Sequence, residues 1–138
     1  MFEAIRDVNW FAVALANITA FLVGGIWFML LFKRTYAIAL GRETASPPKP
    51  SAISLAGPFL CQTVTIITTA VLLRALGVTS YAGGVQLGAL VGIGYLVPMT
   101  VNIALNPNFP RPFLYSLMNG PFFVLTSLTS CVILVAMS

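Results

Sequence analysis

Charge is scarce in this sequence, and histidine is absent. Of its 138 residues, seven are Lys or Arg and three are Asp or Glu, whereas 59% are hydrophobic. A water-soluble domain normally carries charge on about a quarter of its residues. The composition therefore argues against a soluble domain, a disordered chain and a basic protein that binds nucleic acid. It predicts an integral membrane protein surrounded by membrane lipids.

The charged residues divide the chain into four long uncharged stretches. Each is long enough for one helix, because a helix crosses the hydrocarbon core with about 20 residues. Membrane strands alternate in polarity, whereas these runs are apolar on every side, and a helix satisfies its own backbone hydrogen bonds in lipid. We predict an all-α integral membrane protein, a compact bundle of four transmembrane helices with short loops in a single domain. These helices, span one to span four, are expected at about residues 8–32, 54–76, 81–105 and 112–137.

Lys and Arg are distributed unevenly between the two sides of the predicted bundle. Loop one, residues 33–53, carries four of them, and loop three, residues 106–111, carries one. On the other side there are two, Arg6 in the N-terminal segment and Arg74 next to the turn between spans two and three. Because cytoplasmic loops hold the excess of positive charge, loops one and three are predicted to be cytoplasmic and both termini to lie outside. Span one is too long for the core of a signal peptide, so we expect it to be retained. The expected location is a bacterial inner (plasma) membrane.

Proline and glycine mark the connections between the spans. Pro47, Pro48 and Pro50 predict an extended, solvated linker in loop one. Gly77, just past span two, suits a helix C-cap, and three prolines within residues 107–112 argue against a helix in loop three. With connections this short, spans two, three and four are expected to pack as antiparallel neighbours.

Two prolines lie well inside the predicted spans three and four. Pro98 in span three and Pro121 in span four each remove a helical hydrogen bond, so each is expected to kink its helix. Pro121 follows Asn119 and Gly120. This triplet is the candidate for a locally opened helix, and the alternative is an ordinary kink.

Small residues recur every four positions in spans one and three. Such a ridge lets two helix backbones approach closely, which is a common basis of helix association in membranes. The ridges serve either packing within the chain or an interface between copies. Their members are Ala12, Ala16, Ala20 and Gly24 in span one, and Gly84, Gly88 and Gly92 in span three.

The polar side chains inside the spans are amides and hydroxyls. At about 1.5 Å per residue, four of them lie at a similar depth near the cytoplasmic ends of spans two, three and four. Since Asn and Gln in lipid seek partners on other helices, we predict an interhelical polar cluster, acting as structural glue or as a binding site. Arg111 lies just beyond this depth and is counted with the cluster. The members of the predicted cluster are Gln62, Thr100, Asn102, Arg111 and Asn119. Asn17 in span one lies deeper and is expected to bond to another helix.

Apart from Arg74, two residues from the predicted end of span two, no Asp, Glu, Lys, Arg or His lies inside a predicted span. This argues against a proton-coupled carrier, and the sequence predicts no catalytic residue, no metal site and no cofactor. Cys61 and Cys131 are expected at heights about 18 Å apart, beyond the limit of about 7 Å for a disulfide. We therefore predict two unpaired, buried thiols. The expected interface anchors are Trp10, Trp27, Lys33 and Arg34.

Several short motifs extend along nearly the whole chain. They are Asn9-Trp10, Gly25-Ile-Trp27-Phe28, Phe32-Lys33, Asn102, Asn106, Pro110-Arg111-Pro112 and Asn119-Gly. Together they resemble a family of small four-span membrane proteins known as domain of unknown function 1761. The resemblance implies the four-span fold but no established activity. The positions that it marks are Asn9, Trp10, Trp27, Lys33, Asn102, Arg111 and Asn119.

The sequence departs from that family's pattern in three places. Phe28 stands for the usual Tyr, and Met29-Leu30 stand for the Ser-Pro that commonly follows. Phe122 and Phe123 occupy the place of a frequent His. No role of that Tyr or His is therefore carried over to this chain.

Three classes of function are compatible with these observations. The leading hypothesis is a non-enzymatic membrane protein that self-associates or serves as an accessory subunit of a larger membrane complex. The alternative is an oligomeric transporter or channel for a neutral or weakly polar solute, with a pathway lined by Asn17, Gln62, Asn102 and Asn119. Small multidrug exporters of similar size carry an acidic residue in span one, which this chain lacks. A membrane enzyme ranks third, because no charged constellation or paired cysteines are present.

Overall fold

A computed structural model describes residues 2–44, 49 and 51–138. Four helices are long and apolar enough to cross a membrane, and the described residues contain no strand. The predicted number of four helices is therefore confirmed. They cover Trp10–Leu31, Ala52–Ala75, Tyr81–Ala104 and Pro112–Ala136. The linker predicted around Pro47, Pro48 and Pro50 lies outside the described residues.

Three of the four spans begin at a residue whose side chain caps the helix. The side chain of Asn9 accepts hydrogen bonds from the first backbone N–H groups of span one, and Ser51 and Ser80 cap spans two and three. These N–H groups have no partner inside their own helix, so such caps favour a helix start at these positions. Span four begins instead at Pro112, because a missing N–H is tolerated at the first helical position.

A left-handed glycine ends span two. Gly77 has a φ of +65°, and the N–H of the following Val78 donates to the carbonyl oxygen of Leu73 at 2.9 Å. Glycine adopts this conformation without the steric penalty of other residues, and it leaves the last carbonyl groups of the helix paired. The predicted C-cap at Gly77 is therefore confirmed.

Loop one contains a helix that was expected to be loop. Lys33–Ala39 is helical directly after span one, and Gly41, with a φ of +66°, ends this connecting helix. Its Tyr36 ring packs on Phe28 of span one with the ring centroids 4.7 Å apart. This contact packs the short helix against the preceding span. The positions of the charged residues, from which loop one was predicted, do not reveal such a contact.

Span four lies at the centre of the arrangement. It packs against spans one, two and three, and spans one and two also pack against each other. Within the described part of the chain, spans two and three share no extensive interface, so the expectation that they pack as neighbours is wrong. The short turn brings only their ends together, whereas the small-residue ridge of span three selects span four as its partner.

Both small-residue ridges face the interior of the chain. A Cβ atom added to Gly88 would lie 3.0 Å from Leu128 Cα in span four, and Ala12 and Ala16 are completely buried. Backbones approach this closely only where side chains are small. Of the two uses left open for the ridges, these contacts support packing within the chain. The remaining members, which are buried or close to a neighbouring span, are Ala20, Gly24, Gly84 and Gly92.

Spans one and three each contain a wide, π-helical turn. In span three the turn covers Gly92–Leu96, and the N–H of Val97 donates to the carbonyl oxygen of Gly92 directly before Pro98. Since Pro98 has no N–H to continue the regular pattern, the wider turn redirects the hydrogen bonds at the expected kink. The corresponding turn in span one covers Ile26–Leu31.

Prolines also lie inside spans two and four without interrupting them. Span four is one continuous helix through Pro121, so the opening predicted at the Asn119-Gly120-Pro121 triplet does not unwind a turn. Pro58 is a further proline inside a span. Proline is most easily tolerated in the first turn of a helix. Span two begins at Ala52, earlier than predicted, so Pro58 lies beyond that first turn.

Two hydrogen bonds show which parts of the chain share an end of the structure. Asn9 Nδ2 donates to the carbonyl oxygen of Met137 at 2.8 Å, which joins the two terminal regions. Arg111 Nη1 donates to the carbonyl oxygen of Ile38 at 2.9 Å, which joins loops one and three. The orientation predicted from Lys and Arg likewise placed loops one and three at one end and both termini at the other. The face that lies in the cytoplasm stays a prediction.

Replacing Gly88 by Ala tests the close contact between spans three and four. The added Cβ would press on Leu128 Cα, so we expect the free energy of unfolding to fall by about 1–3 kcal/mol. Gly57→Ala is the matched control, because a Cβ at Gly57 meets nothing within 4 Å. Unfolding in a titration with SDS, followed by circular dichroism, measures both. Equal stabilities of the two variants would contradict the packing role.

Candidate functional site

The five residues of the predicted polar cluster do not join into one hydrogen-bonded group. Thr100 and Asn119 are buried, but each donates to a carbonyl oxygen one turn back in its own helix. Gln62 lies in span two, away from span three, and Asn102 is exposed. The prediction of a cluster is wrong for two reasons. Short polar side chains can bond to their own helix backbone, and the neighbour assumed for span two is not the observed one.

Arg111 binds loop one instead of a polar cluster. Its Nη1 donates to the carbonyl oxygen of Ile38 at 2.9 Å and also to the carboxylate of Glu43. Both side chains of this ion pair are exposed, and such pairs contribute about 1 kcal/mol or less. The Ile38 carbonyl belongs to the last turn of the connecting helix, where the helix dipole favours a cation. Arg111 therefore links loop three to loop one.

Asn17 makes the expected bond to another helix. Its Nδ2 donates to Thr63 Oγ1 of span two at 2.6 Å, and the Thr63 hydroxyl donates in turn to the Phe59 carbonyl oxygen of its own helix. Asn17 is 4% exposed, and its Oδ1 has no partner among the described residues. Asn17 therefore holds spans one and two together in the interior.

The two cysteines are both free, but their surroundings differ from the prediction. Cys131 is buried in span four, as expected, whereas Cys61 is exposed. The prediction of a buried Cys61 is wrong because that residue lies on the face of span two turned away from the rest of the chain. Neither thiol is placed to form a disulfide within the chain.

Aromatic rings fill the region where the polar cluster was expected. They connect span one, the connecting helix, loop three and span four through ring centroids 4.6–6.4 Å apart. Such tilted and edge-on pairs stabilise beyond the area that they bury. We call this set the aromatic cluster: Trp27, Phe28, Phe32, Tyr36, Phe109, Tyr115, Phe122 and Phe123.

Trp27 is the member of the aromatic cluster with a specific polar contact. Its Nε1 donates to the carbonyl oxygen of Met118 in span four at 3.0 Å. Met118 lies three residues before Pro121, in the turn that the proline disturbs. The expected anchor at the membrane interface is therefore also a tie between two spans. The other expected anchors, Trp10, Lys33 and Arg34, are exposed.

Tyr36 is the ionisable member of the aromatic cluster that lies outside the spans. Its burial raises the pKa of the phenol from 10.0 to about 12, and the neighbouring Tyr115 adds to this rise. The phenol therefore stays neutral over the whole physiological range and serves as a packed, uncharged group.

The sequence offered a weak signal for the aromatic cluster. Trp27, Tyr36 and Tyr115 lie near predicted span ends, where aromatic residues commonly sit at the membrane surface. Their mutual contacts depend on the unexpected connecting helix, which brings Tyr36 back over span four. Position along the chain alone therefore could not separate interface aromatics from packed ones.

A small cleft and an open groove are among the concave features on the described part of the chain. A small cleft between the terminal ends of spans one, two and four, near Asn9 and Arg74, has a volume of about 20 Å³, room for about one water molecule. An apolar groove runs between spans three and four beside Gly120 and Pro121, where side-chain bulk is missing. The groove opens outward, toward the surroundings of the protein.

Span three carries polar side chains on its outer surface. Tyr95 is 70% exposed, and Gln86 and Asn102 are also exposed. No hydrogen bond joins these three side chains to other described residues. The sequence had placed Asn102 inside a cluster. Tyr95 was missed because its surroundings in the sequence are uniformly apolar.

The fold defines an all-helical membrane protein, held together by small-residue ridges and an aromatic cluster. A family model described as a protein of unknown function (DUF1761) matches residues 11–135. The chain belongs to this family, as its motifs indicated. No curated protein and no solved structure matches the chain. The comparisons therefore establish the family and leave the activity to be inferred from the molecule itself.

Replacing Trp27 by Phe tests the tie between spans one and four. The variant keeps an aromatic ring but loses the donor to the Met118 carbonyl oxygen, so we expect a loss of about 1 kcal/mol in the free energy of unfolding. Trp10→Phe is the control, because Trp10 is exposed. Unfolding in SDS again provides the measurement, and an equal loss in both variants would argue against the tie.

The raised pKa of Tyr36 predicts a distinct step in an alkaline titration. The folded phenol keeps its proton up to a pH of about 12, whereas its ordinary pKa is 10.0. The folded state therefore binds more protons than the unfolded state between these values, and stability falls as the pH rises through them. The difference in phenolate absorbance between the native protein and Tyr36→Phe isolates this group. A transition at the ordinary pKa in that difference would show that Tyr36 is not buried.

Proposed function

We propose that the protein is a non-enzymatic membrane protein that acts by lateral association with other membrane-spanning chains. These chains are copies of itself or subunits of a larger membrane complex. The proposal rests on Tyr95, a residue in the middle of span three that is 70% exposed. A hydroxyl at this place in lipid needs a hydrogen-bond partner, and the described part of the chain does not supply one.

The depth of Tyr95 makes its exposure costly. Tyr95 is nine residues from Ala104, the residue at the loop-three end of span three, a distance of about 13.5 Å along the helix. A phenol is too short to carry its hydroxyl back to the polar surface from there. A hydroxyl in an apolar environment costs several kcal/mol without a hydrogen-bond partner, and a second helix is a source of such a partner.

The internal contacts of the chain also favour association through an outer surface. The glycine and alanine ridges are used against neighbouring spans of the same chain, so they are not free to bind another one. The buried side chains of Asn17, Thr100 and Asn119 have bonds within the chain. Gln86, Tyr95 and Asn102, on the outside of span three, are exposed polar groups left for a partner.

The positions of the amide side chains argue against the alternative of a solute pathway through a single chain. Asn17 bonds to span two, Asn119 to its own helix, and Asn102 lies outside. These residues do not line one passage through a single chain. A pathway for a neutral solute would have to form between chains, so association is the property to test first.

The test is the mass of the protein extracted from its membrane in polymer nanodiscs, without detergent. We expect particles that contain at least two chains, compared with 14.7 kDa for one. Two differently tagged copies, expressed together, show whether the second chain is another copy. Recovery of single chains alone, at native expression levels, would contradict the proposed function.

A further inference from the structure

We infer that a second copy of this chain docks on the outer face of span three, along Tyr95, Met99 and Asn102, to form a two-fold dimer. This inference rests on the proposed function and names the partner and the surface. The three residues define the span-three face.

The span-three face is a continuous stripe that no other part of the described chain covers. Its members are spaced by four and three residues, which places them on one side of a helix. Tyr95 is 70% and Met99 58% exposed, and Asn102 is also exposed. Span three packs on span four through other residues, such as the buried Gly88 and Thr100. The face is therefore free to meet another helix.

The surface beside this face has little bulk. A Cβ atom added to Gly94 would meet only Leu90 Cδ1 of the same helix, at 3.9 Å. Packing within the chain does not require a glycine there, in contrast to Gly88, where a Cβ would press on span four. Pro98, one turn further along, is also exposed. A partner helix can approach closely along these two positions.

The chemistry of the face fits a second copy of the same chain. Two copies inserted in the same orientation are related by a two-fold axis along the membrane normal, so each residue near the axis meets its own counterpart at the same depth. A phenol hydroxyl and an amide are each both donor and acceptor. Tyr95 can therefore bond to Tyr95 of the other copy, and Asn102 to Asn102. A charged residue in either place would repel itself.

Cysteine cross-linking in intact membranes tests the position of the interface. In a background with Cys61→Ala and Cys131→Ala, Met99→Cys is treated with an oxidant and should give a cross-linked dimer. Leu117→Cys is the matched control. Leu117 lies on the exposed side of span four at 62% exposure, and each of the two positions is five residues from the loop-three end of its span. We expect no dimer from the control.

The Tyr95 hydroxyl is tested separately by Tyr95→Phe. Removing one hydrogen bond at the interface should weaken dimerisation by about threefold, as measured by energy transfer between labelled copies in vesicles. Tyr81→Phe, at the exposed first residue of the same span, should leave dimerisation unchanged. Circular dichroism and SDS unfolding confirm that each variant, including the cysteine background, is folded.

The possible results separate this inference from the proposed function. Cross-linking at Met99 but not at Leu117, with weaker dimers of Tyr95→Phe, supports both. If the chains associate without cross-linking at Met99→Cys, or if Tyr95→Phe leaves dimerisation unchanged, the span-three face is not the interface, whereas the proposed function stands. Single chains in nanodiscs, with no cross-linking at either position, overturn both.

Discussion

The close contact between span four and the glycine ridge of span three sets the geometry of the whole chain. At Gly88 the two helices approach until an added Cβ would lie 3.0 Å from Leu128 Cα. Span one meets the interior with an alanine ridge in the same manner. Because span four is the shared partner, it becomes the central helix, and span two is left to pack on spans one and four.

The scarcity of charge then decides how the polar groups are satisfied. Among the side chains that donate to backbone carbonyl oxygens on distant segments, three lie at different levels of the structure: Asn9 donates to Met137, Trp27 to Met118 and Arg111 to Ile38. These bonds lie at the terminal end, inside the membrane and at the loop end, respectively. They tie the ends and the middle of the chain without placing an ionised group in the membrane interior, where it would be costly.

The sequence predicted the parts of this structure that depend on composition and local chemistry. Length and the absence of charge defined four helices, Gly77 marked a helix end, and Asn17 was correctly expected to bond another helix. The arrangement of the helices was not predictable in the same way, because the close contact at Gly88 is a property of two distant segments. The polar cluster failed for the same reason. Whether Asn119 turns to its own backbone or to a neighbour depends on which helix lies beside it.

The motifs of the family acquire different meanings once these contacts are known. Asn9, Trp27 and Arg111 each join two segments, so their chemistry explains the fold rather than an activity. Asn119 bonds to its own helix. Asn102 is the amide of the motifs that lies exposed on a span with no bond to other described residues. It lies on the same helix face as Tyr95, whose hydroxyl has no route to water. These two groups are the ones that a second helix against span three, as proposed, would pair.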